Sequence, residues 1–284
     1  MALVIAAAFF MAVLFFLFKV FERRNVPLLP AIVVNYFVAS TCGSIVAPPW
    51  QAGDLSPLWM PAAALGFLFI TIFYLTGLST QRAGVAVTTV ASKMSLVLTV
   101  LFAVAFYGDR PGAFGWAGII LALLGVLLTS SMGTRAATRG AILLPLVLFF
   151  GNSAIDILIN WTQRTHLTPA TEAVFPTLAF VFAGGIGLLW IMTTKDRTSF
   201  QRPAAWAGGA VLGVANYTAL YFLVKALANG GLPPSAAYPV INIGVIIFGT
   251  GLSIPVFRER PMRMQYVGIL CAVIALVLIV MSTR

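Results

Sequence analysis

Ten apolar runs, each twenty residues or longer, follow one another along this chain with only short polar breaks between them. They occupy residues 2–21, 28–48, 57–78, 82–106, 112–131, 140–161, 171–193, 204–228, 232–257 and 262–281. A helix needs about 20 apolar residues to cross the hydrocarbon core of a bilayer, so each run is long enough to span it. The breaks are ordinary punctuation, such as ERRNVP, STQRAG, GDRPG, NGGLPP and RERP, and none could hold a soluble domain. Only 8% of the 284 residues are charged, where a soluble domain carries about a quarter. The reading is an all-α integral membrane protein of ten transmembrane helices, with its function lodged between them.

The formal net charge of +10 does not point to nucleic acid, because the 17 Lys and Arg are strung singly between apolar runs and form no basic tract. They read instead as orienting charges. The odd-numbered connections hold Lys19, Arg23, Arg24, Arg82, Arg135, Arg139, Lys195, Arg197, Arg202, Arg258, Arg260 and Arg263; the opposite side holds Arg110, Arg164, Lys225 and Arg284. Twelve against four places both termini outside the cytoplasm. Cys42 and Cys271 fall inside apolar runs and read as packing residues. His166, the single histidine, sits in a polar connection with no ligand partner nearby, so no metal site is expected. The first apolar run lacks a basic leader and a small-residue cleavage site, so no cleavable signal is expected. There is no GxxxxGK[ST] loop and no HExxH motif, and neither ATP-driven pumping, hydrolysis nor a cofactor is expected.

An internal repeat adds a stronger constraint. FYGDRPGAFGWAGIILALLGVLLTSS matches VFRERPMRMQYVGILCAVIALVLIVM at a constant offset of 150 residues. Tyr107 pairs with Phe257, Asp109 with Glu259, Arg110-Pro111 with Arg260-Pro261, Trp116 with Tyr266 and Gly118 with Gly268. Further back, Thr88 falls opposite Tyr238 and Ser92 opposite Asn242. Each unit, 1–134 and 140–284, holds five spans. Five is odd, so the second unit must enter the membrane from the other side, the inverted repeat found in many secondary transporters. Ten spans in two five-span units, each with a short D/E-R-P turn before a glycine-containing last helix, resemble the drug/metabolite transporter superfamily, EamA type. The resemblance implies a basket of helices around a central cavity that opens alternately to the two faces. It also implies traffic in small metabolites, often export of amino acids or related compounds. It implies cytoplasmic termini too, where the charge count places them outside.

Polar residues inside the spans are the candidate ligands. Lys93 stands in TTVASKMSLVLTVLFAV with about ten apolar residues to either side, ~15 Å at 1.5 Å per residue, too far for its ammonium to snorkel. A lysine at that depth costs roughly 2.5–3.5 kcal/mol on insertion scales, which makes it a functional candidate. Thr88, Ser92, Ser95 and Thr99 recur on one face of the same span, with Thr89 on the side of Lys93. They read either as a cavity wall or as small residues that let helices approach. On the sixth span Asn152, Asp156 and Asn160 recur every fourth residue, a carboxylate flanked by two amides. On the eighth, Asn216 is followed by Tyr217, Tyr221 and Lys225; on the ninth, Tyr238 and Asn242 share a face with Gly249, beyond the Gly230-Gly231 break and beside Pro239. Asn35, Tyr36 and Glu172 are further positions.

The expectation is a secondary transporter for an amino-acid-sized zwitterion or organic anion in the cell (inner) membrane. Lys93 meets the carboxylate or phosphate, Asp156 with Asn152 and Asn160 meets an amine or hydroxyls, and Thr89, Ser92, Asn216, Tyr217, Tyr238 and Asn242 complete a mid-membrane pocket. Its expected partners are the solute and the bilayer, with protons as a candidate coupling ion, because Lys93 or Asp156 titrates when desolvated. A polyspecific exporter of drugs and organic cations is the alternative, but it would want a carboxylate and aromatic walls without a central lysine. A channel or an integral membrane enzyme would want a filter ring or a catalytic constellation, and the sequence has neither.

Overall fold

The computed structural model describes residues 2–107, 112–130, 139–168, 170–194, 198–229, 234–258 and 262–282. Eleven α-helices account for most of them: α1 Ala2–Arg23, α2 Leu28–Val46, α3 Trp59–Ala83, α4 Val85–Met94, α5 Leu96–Tyr107, α6 Ala113–Ser130, α7 Arg139–Thr165, α8 Phe175–Thr193, α9 Pro203–Asn229, α10 Pro234–Phe257 and α11 Arg263–Ser282. Eight stretches of these residues are long and apolar enough to cross a membrane, and the apolar helices Ala113–Gly125 and Arg263–Ile279 bring the segments to ten. The protein is thus an all-α, multi-pass membrane protein. Both D/E-R-P turns, the residues from Gly230 to Pro233, and Arg135, Lys195, Arg197 and Arg260 of the basic connections lie outside the described residues.

Helix boundaries follow local chemistry. Prolines open or precede α2, α9 and α10, where a missing N–H costs nothing. Gly84 alone joins α3 to α4 at φ +92°, a conformation that a side chain would strain. Between α2 and α3 two short 3-10 turns cover Pro49–Gln51 and Ser56–Leu58. There the Asp54 carboxylate accepts bonds from the Ser56 backbone N–H and hydroxyl, both at 2.9 Å, which holds its pKa below the ordinary value. Glu172, expected at the start of the seventh span, lies in the turn before α8 and is exposed.

The fourth span is two helices. α4 ends at Met94 and α5 begins at Leu96, with Ser95 between them. The Ser95 carbonyl accepts the N–H groups of Leu98 and Thr99, and the Ser153 hydroxyl of α7 shares its one proton between that carbonyl and the Phe149 carbonyl of its own helix, each at 2.8 Å. The Ser95 hydroxyl turns back to the Ser92 carbonyl at 2.7 Å. An oxygen claimed from outside the helix is a known cause of such interruptions.

Two compact units emerge, each assembled from both halves of the sequence. The first takes Met1–Lys19, Thr76–Ser153 and Thr218–Arg284. Its core packs Val90, Met94 and Val97 against Ile119 and Ala122 of α6, Phe149, Ile246, and Ala272, Ala275, Leu276 and Ile279 of α11. Glycines set the approach of α6 to α11. A methyl group on Gly118 would lie 2.9 Å from the Ala275 carbonyl, and one on Gly125 would lie 3.0 Å from that of Gly268. The partner number falls as the residue number rises, so α6 and α11 run antiparallel. The same contacts carry a symmetry: adding 150 to 118 gives 268, and adding 150 to 125 gives 275, so the pair 118–275 maps onto the pair 268–125. Equivalent helices of the two repeats therefore meet about a pseudo-twofold axis, in opposite directions through the membrane.

The second unit takes Val20–Leu75 and Ala154–Tyr217. Its core packs Leu58, Ala62 and Leu65 against Val174, Phe175, Leu178 and Ala179. Helices α2 and α8 cross antiparallel as well: Gly43 faces Thr177, Phe37 faces Gly184, and Val33 faces Gly187. These are again the matching helices of the two sequence repeats. Helix α9 lies along α2, with Gly209 against Ala31 and Val34, and Gly213 against Asn35 and Val38. This is the close small-residue approach by which membrane helices associate.

Candidate functional site

Lys93 belongs to the first unit and stands out by accessibility. From Val85 to Ser95 every residue is buried except Lys93, which is half-buried. A helix buried on all sides shows no face to lipid, so the space that Lys93 reaches lies inside the protein. Its Nζ is 4.0 Å from the Met11 thioether of α1. Lys93 also occupies the last turn of α4, where the partial negative charge of the helix end favours a cation. The chain thus carries its costly ammonium in the interior and at a favourable helix end.

The hydroxyls around it divide by role. Thr89 is fully buried, donates to the Val85 carbonyl at 2.7 Å and lies against Gly249 of α10. Thr88 bonds the Gly84 carbonyl at 2.9 Å and the Ser79 hydroxyl of α3 at 2.8 Å. The hydroxyls of Ser92, Thr99 and Thr250 are buried without a hydrogen-bond partner among the described residues. A buried orphan hydroxyl costs roughly 1–3 kcal/mol, so Ser92 and Thr99 of the stripe, with Thr250 of α10, keep unspent hydrogen-bonding capacity. Asn152 on α7 donates to the Leu148 carbonyl at 2.8 Å. Asn242 on α10 is half-buried. Tyr238 falls in the first turns of α10, and its side chain lies outside the described residues.

Asp156, Asn160, Asn216 and Tyr217 belong to the second unit. On α7 the strongly exposed residues Leu143, Phe150 and Trp161 form one stripe. At about 100° per residue, Asp156 lies roughly 130° round from that stripe, with Asn152 opposite it. The carboxylate therefore leaves α7 on the side away from its exposed face. Asn160 gives its amide to the backbone carbonyl of Asp156 at 2.9 Å. Asn216 of α9 donates to Asn35 Oδ1 of α2 at 3.2 Å, and Asn35 is fully buried. Tyr217 is half-buried; further along α9, Tyr221 and Lys225 are exposed, the ammonium 5.7 Å from the ring centroid. Tyr36 sits among Phe69, Phe73 and Phe180, with ring centroids 5.8–6.5 Å away.

Two contributors and one pairing had no distinct signal in the sequence. Met11 is one apolar residue in an apolar run, and only its nearness to Lys93 singles it out. Ser153 looks like a small packing residue beside Asn152, yet its hydroxyl reaches the Ser95 carbonyl at the break in the fourth span. Asn35 is legible as a polar residue in a span, but its pairing with Asn216, 181 positions away, is not.

A multi-pass helical protein with equivalent antiparallel helices, an interior lysine and an aspartate turned from its helix's exposed face is built as membrane transporters are. Residues 1–131 match the model of the EamA-like transporter family. The chain is also similar to an uncharacterized protein of Haemophilus influenzae, 27% identical over 274 residues that span 92% of this chain and 91% of that one. A solved structure described as "Crystal structure of protein" shares the fold with a TM-score of 0.61 at 14% identity, over 98% of this chain and 99% of the other.

Proposed function

We propose that this membrane transporter is a secondary exporter of the cell (inner) membrane. It moves an amino-acid-sized zwitterion or organic anion by alternating access. The observation that carries the reading is Lys93, the one accessible position in a buried helix. An interior ammonium is tolerated when something anionic meets it, and a transported carboxylate does so without being a permanent partner. Asp156 is the matching group for an amine or hydroxyls. Asn152, Asn160, Asn216, Tyr217, Tyr238, Asn242, Thr89 and Ser92 supply the remaining polar contacts proposed. Protons are the proposed coupling ion, since a group in low dielectric changes its proton affinity when its partner leaves.

The test is counterflow in proteoliposomes, first with labelled amino acids and small carboxylates, then with tetraphenylphosphonium as a lipophilic cation. Saturable exchange of an amino acid or carboxylate supports the reading. Exchange of the cation alone would overturn it in favour of a cation exporter.

A further inference from the structure

We propose that Asn35 is a positioning residue that fixes the hydrogen-bonding polarity of Asn216, so that Asn216 offers its carbonyl oxygen to a donor group of the transported solute. The proposal rests on the transporter reading above and names how one of its polar contacts is made.

An amide has one end that accepts and one that donates, and which end points where is decided by its neighbours. Asn35 is fully buried, and its Nδ2 lies 3.4 Å from the Ile32 carbonyl one turn back on α2. A carbonyl only accepts, so the NH2 end of Asn35 must face it. Its oxygen then points to Asn216, 3.2 Å away, and an oxygen only accepts, so Asn216 must present its own NH2 end. What remains for Asn216 to show elsewhere is its oxygen, together with the second N–H.

That oxygen is accessible. It accepts no hydrogen bond among the described residues, yet it is absent from the sealed, partnerless atoms, which are Ser92 Oγ, Thr99 Oγ1 and Thr250 Oγ1. Nor does it open to lipid. The exposed stripe of α9 is Val211, Val214, Tyr221 and Val224, and Asn216 lies about 150° round the helix from it at roughly 100° per residue. Its neighbours on the inward face, Leu212, Gly213 and Ala219, are buried, while Asn216 itself is only half-buried. The accessible oxygen therefore looks into space inside the protein. A fixed acceptor there suits an ammonium or a hydroxyl. Asn35, with no accessible surface, acts only through Asn216.

The experiment uses the full chain in detergent, labelled with 15N on asparagine, with the Asn216 side-chain signal assigned by its loss in Asn216→Ser. In Asn35→Leu the Asn216 NH2 should exchange with solvent about fivefold faster, the factor that one net hydrogen bond provides. Asn35→Asp, whose carboxyl oxygens still accept from Asn216, should restore slow exchange; it also covers the case in which the leucine variant folds poorly. L-Serine, which carries an amine and a hydroxyl, should shift the Asn216 signal of the wild type and of Asn35→Asp, with half-saturation about fivefold higher in Asn35→Leu. Propionate, which has neither donor, should not discriminate among the three. An Asn216 signal unchanged by Asn35→Leu overturns the proposal. So does a serine response of equal half-saturation in a leucine variant whose amide has been freed. If serine shifts nothing in the wild type, the acceptor role fails, and counterflow with the wider panel decides separately whether the transporter reading stands.

Discussion

Lys93→Met keeps the stem of the side chain and removes the ammonium, so it separates folding from transport. Removing an interior charge should leave insertion intact and raise thermal stability slightly. Loss of a charge-assisted contact to a carboxylate should lower the counterflow kcat/KM for an anionic or zwitterionic solute about tenfold to a hundredfold. Lys93→Arg should recover part of the activity at best, because a planar guanidinium cannot reproduce a compact ammonium beside Met11. Wild-type counterflow by the methionine variant would make the lysine structural. At Asp156 the neutral isostere is the informative change. Asp156→Asn should alter solute preference or the pH profile of counterflow more than the yield of folded protein. A variant that folds poorly yet transports normally per folded molecule would show the carboxylate to be structural. Both residues were legible as residues, since a charge within an apolar run declares itself. Their surroundings were not: the burial of every neighbour of Lys93 comes from helices up to about 190 positions away in sequence, as with Ala275 and Ile279 in the core that holds Met94.

At the scale of helices, the sequence runs and the observed elements coincide because both answer to bilayer thickness. The exception is the fourth span. At the break the Ser95 hydroxyl turns back to the Ser92 carbonyl, a local contact, and the Ser95 carbonyl also lies 2.8 Å from the Ser153 hydroxyl of another helix, a contact that no window of sequence displays. The glycines divide in the same way. By sequence alone, Gly118, Gly125 and Gly185 are equivalent small residues in apolar helices. In the structure Gly118 and Gly125 are pressed against α11, whereas Gly185 of α8 has open space where a side chain would stand. Gly118→Val should therefore destabilise the protein by about 1–3 kcal/mol through overpacking, seen as a lower Tm in detergent. Gly185→Ala should be neutral or stabilising by up to about 1 kcal/mol, because alanine is the better helix former. A Gly118→Val protein with an unchanged Tm would show that α6 and α11 are not held at this distance.

The whole molecule is governed by the odd number of spans in each repeat, and its topology can be tested without a substrate. Helices α6 and α11 pack antiparallel through Gly118, Gly125, Gly268 and Ala275, so their N-terminal ends must emerge on opposite faces of the membrane. Gly112 and Met262, which immediately precede those two helices, are both exposed. With Cys42 and Cys271 replaced by serine, a single cysteine at either position should react with a membrane-impermeant maleimide from one side only, and from opposite sides in the two variants. Which side is which follows from the charges. Twelve Lys and Arg flank one face and four the other, and basic residues are retained in the cytoplasm. A cysteine at Gly112 should therefore be labelled in intact cells, while cysteines at Met262 and at Ser199, in the connection after α8, should react only after the cells are opened. Labelling of Gly112 and Met262 from the same face would contradict the inverted repeat itself. Labelling of Ser199 and Met262 from outside, with Gly112 protected, would keep the repeat and reverse its orientation, putting the termini in the cytoplasm as the superfamily resemblance implies.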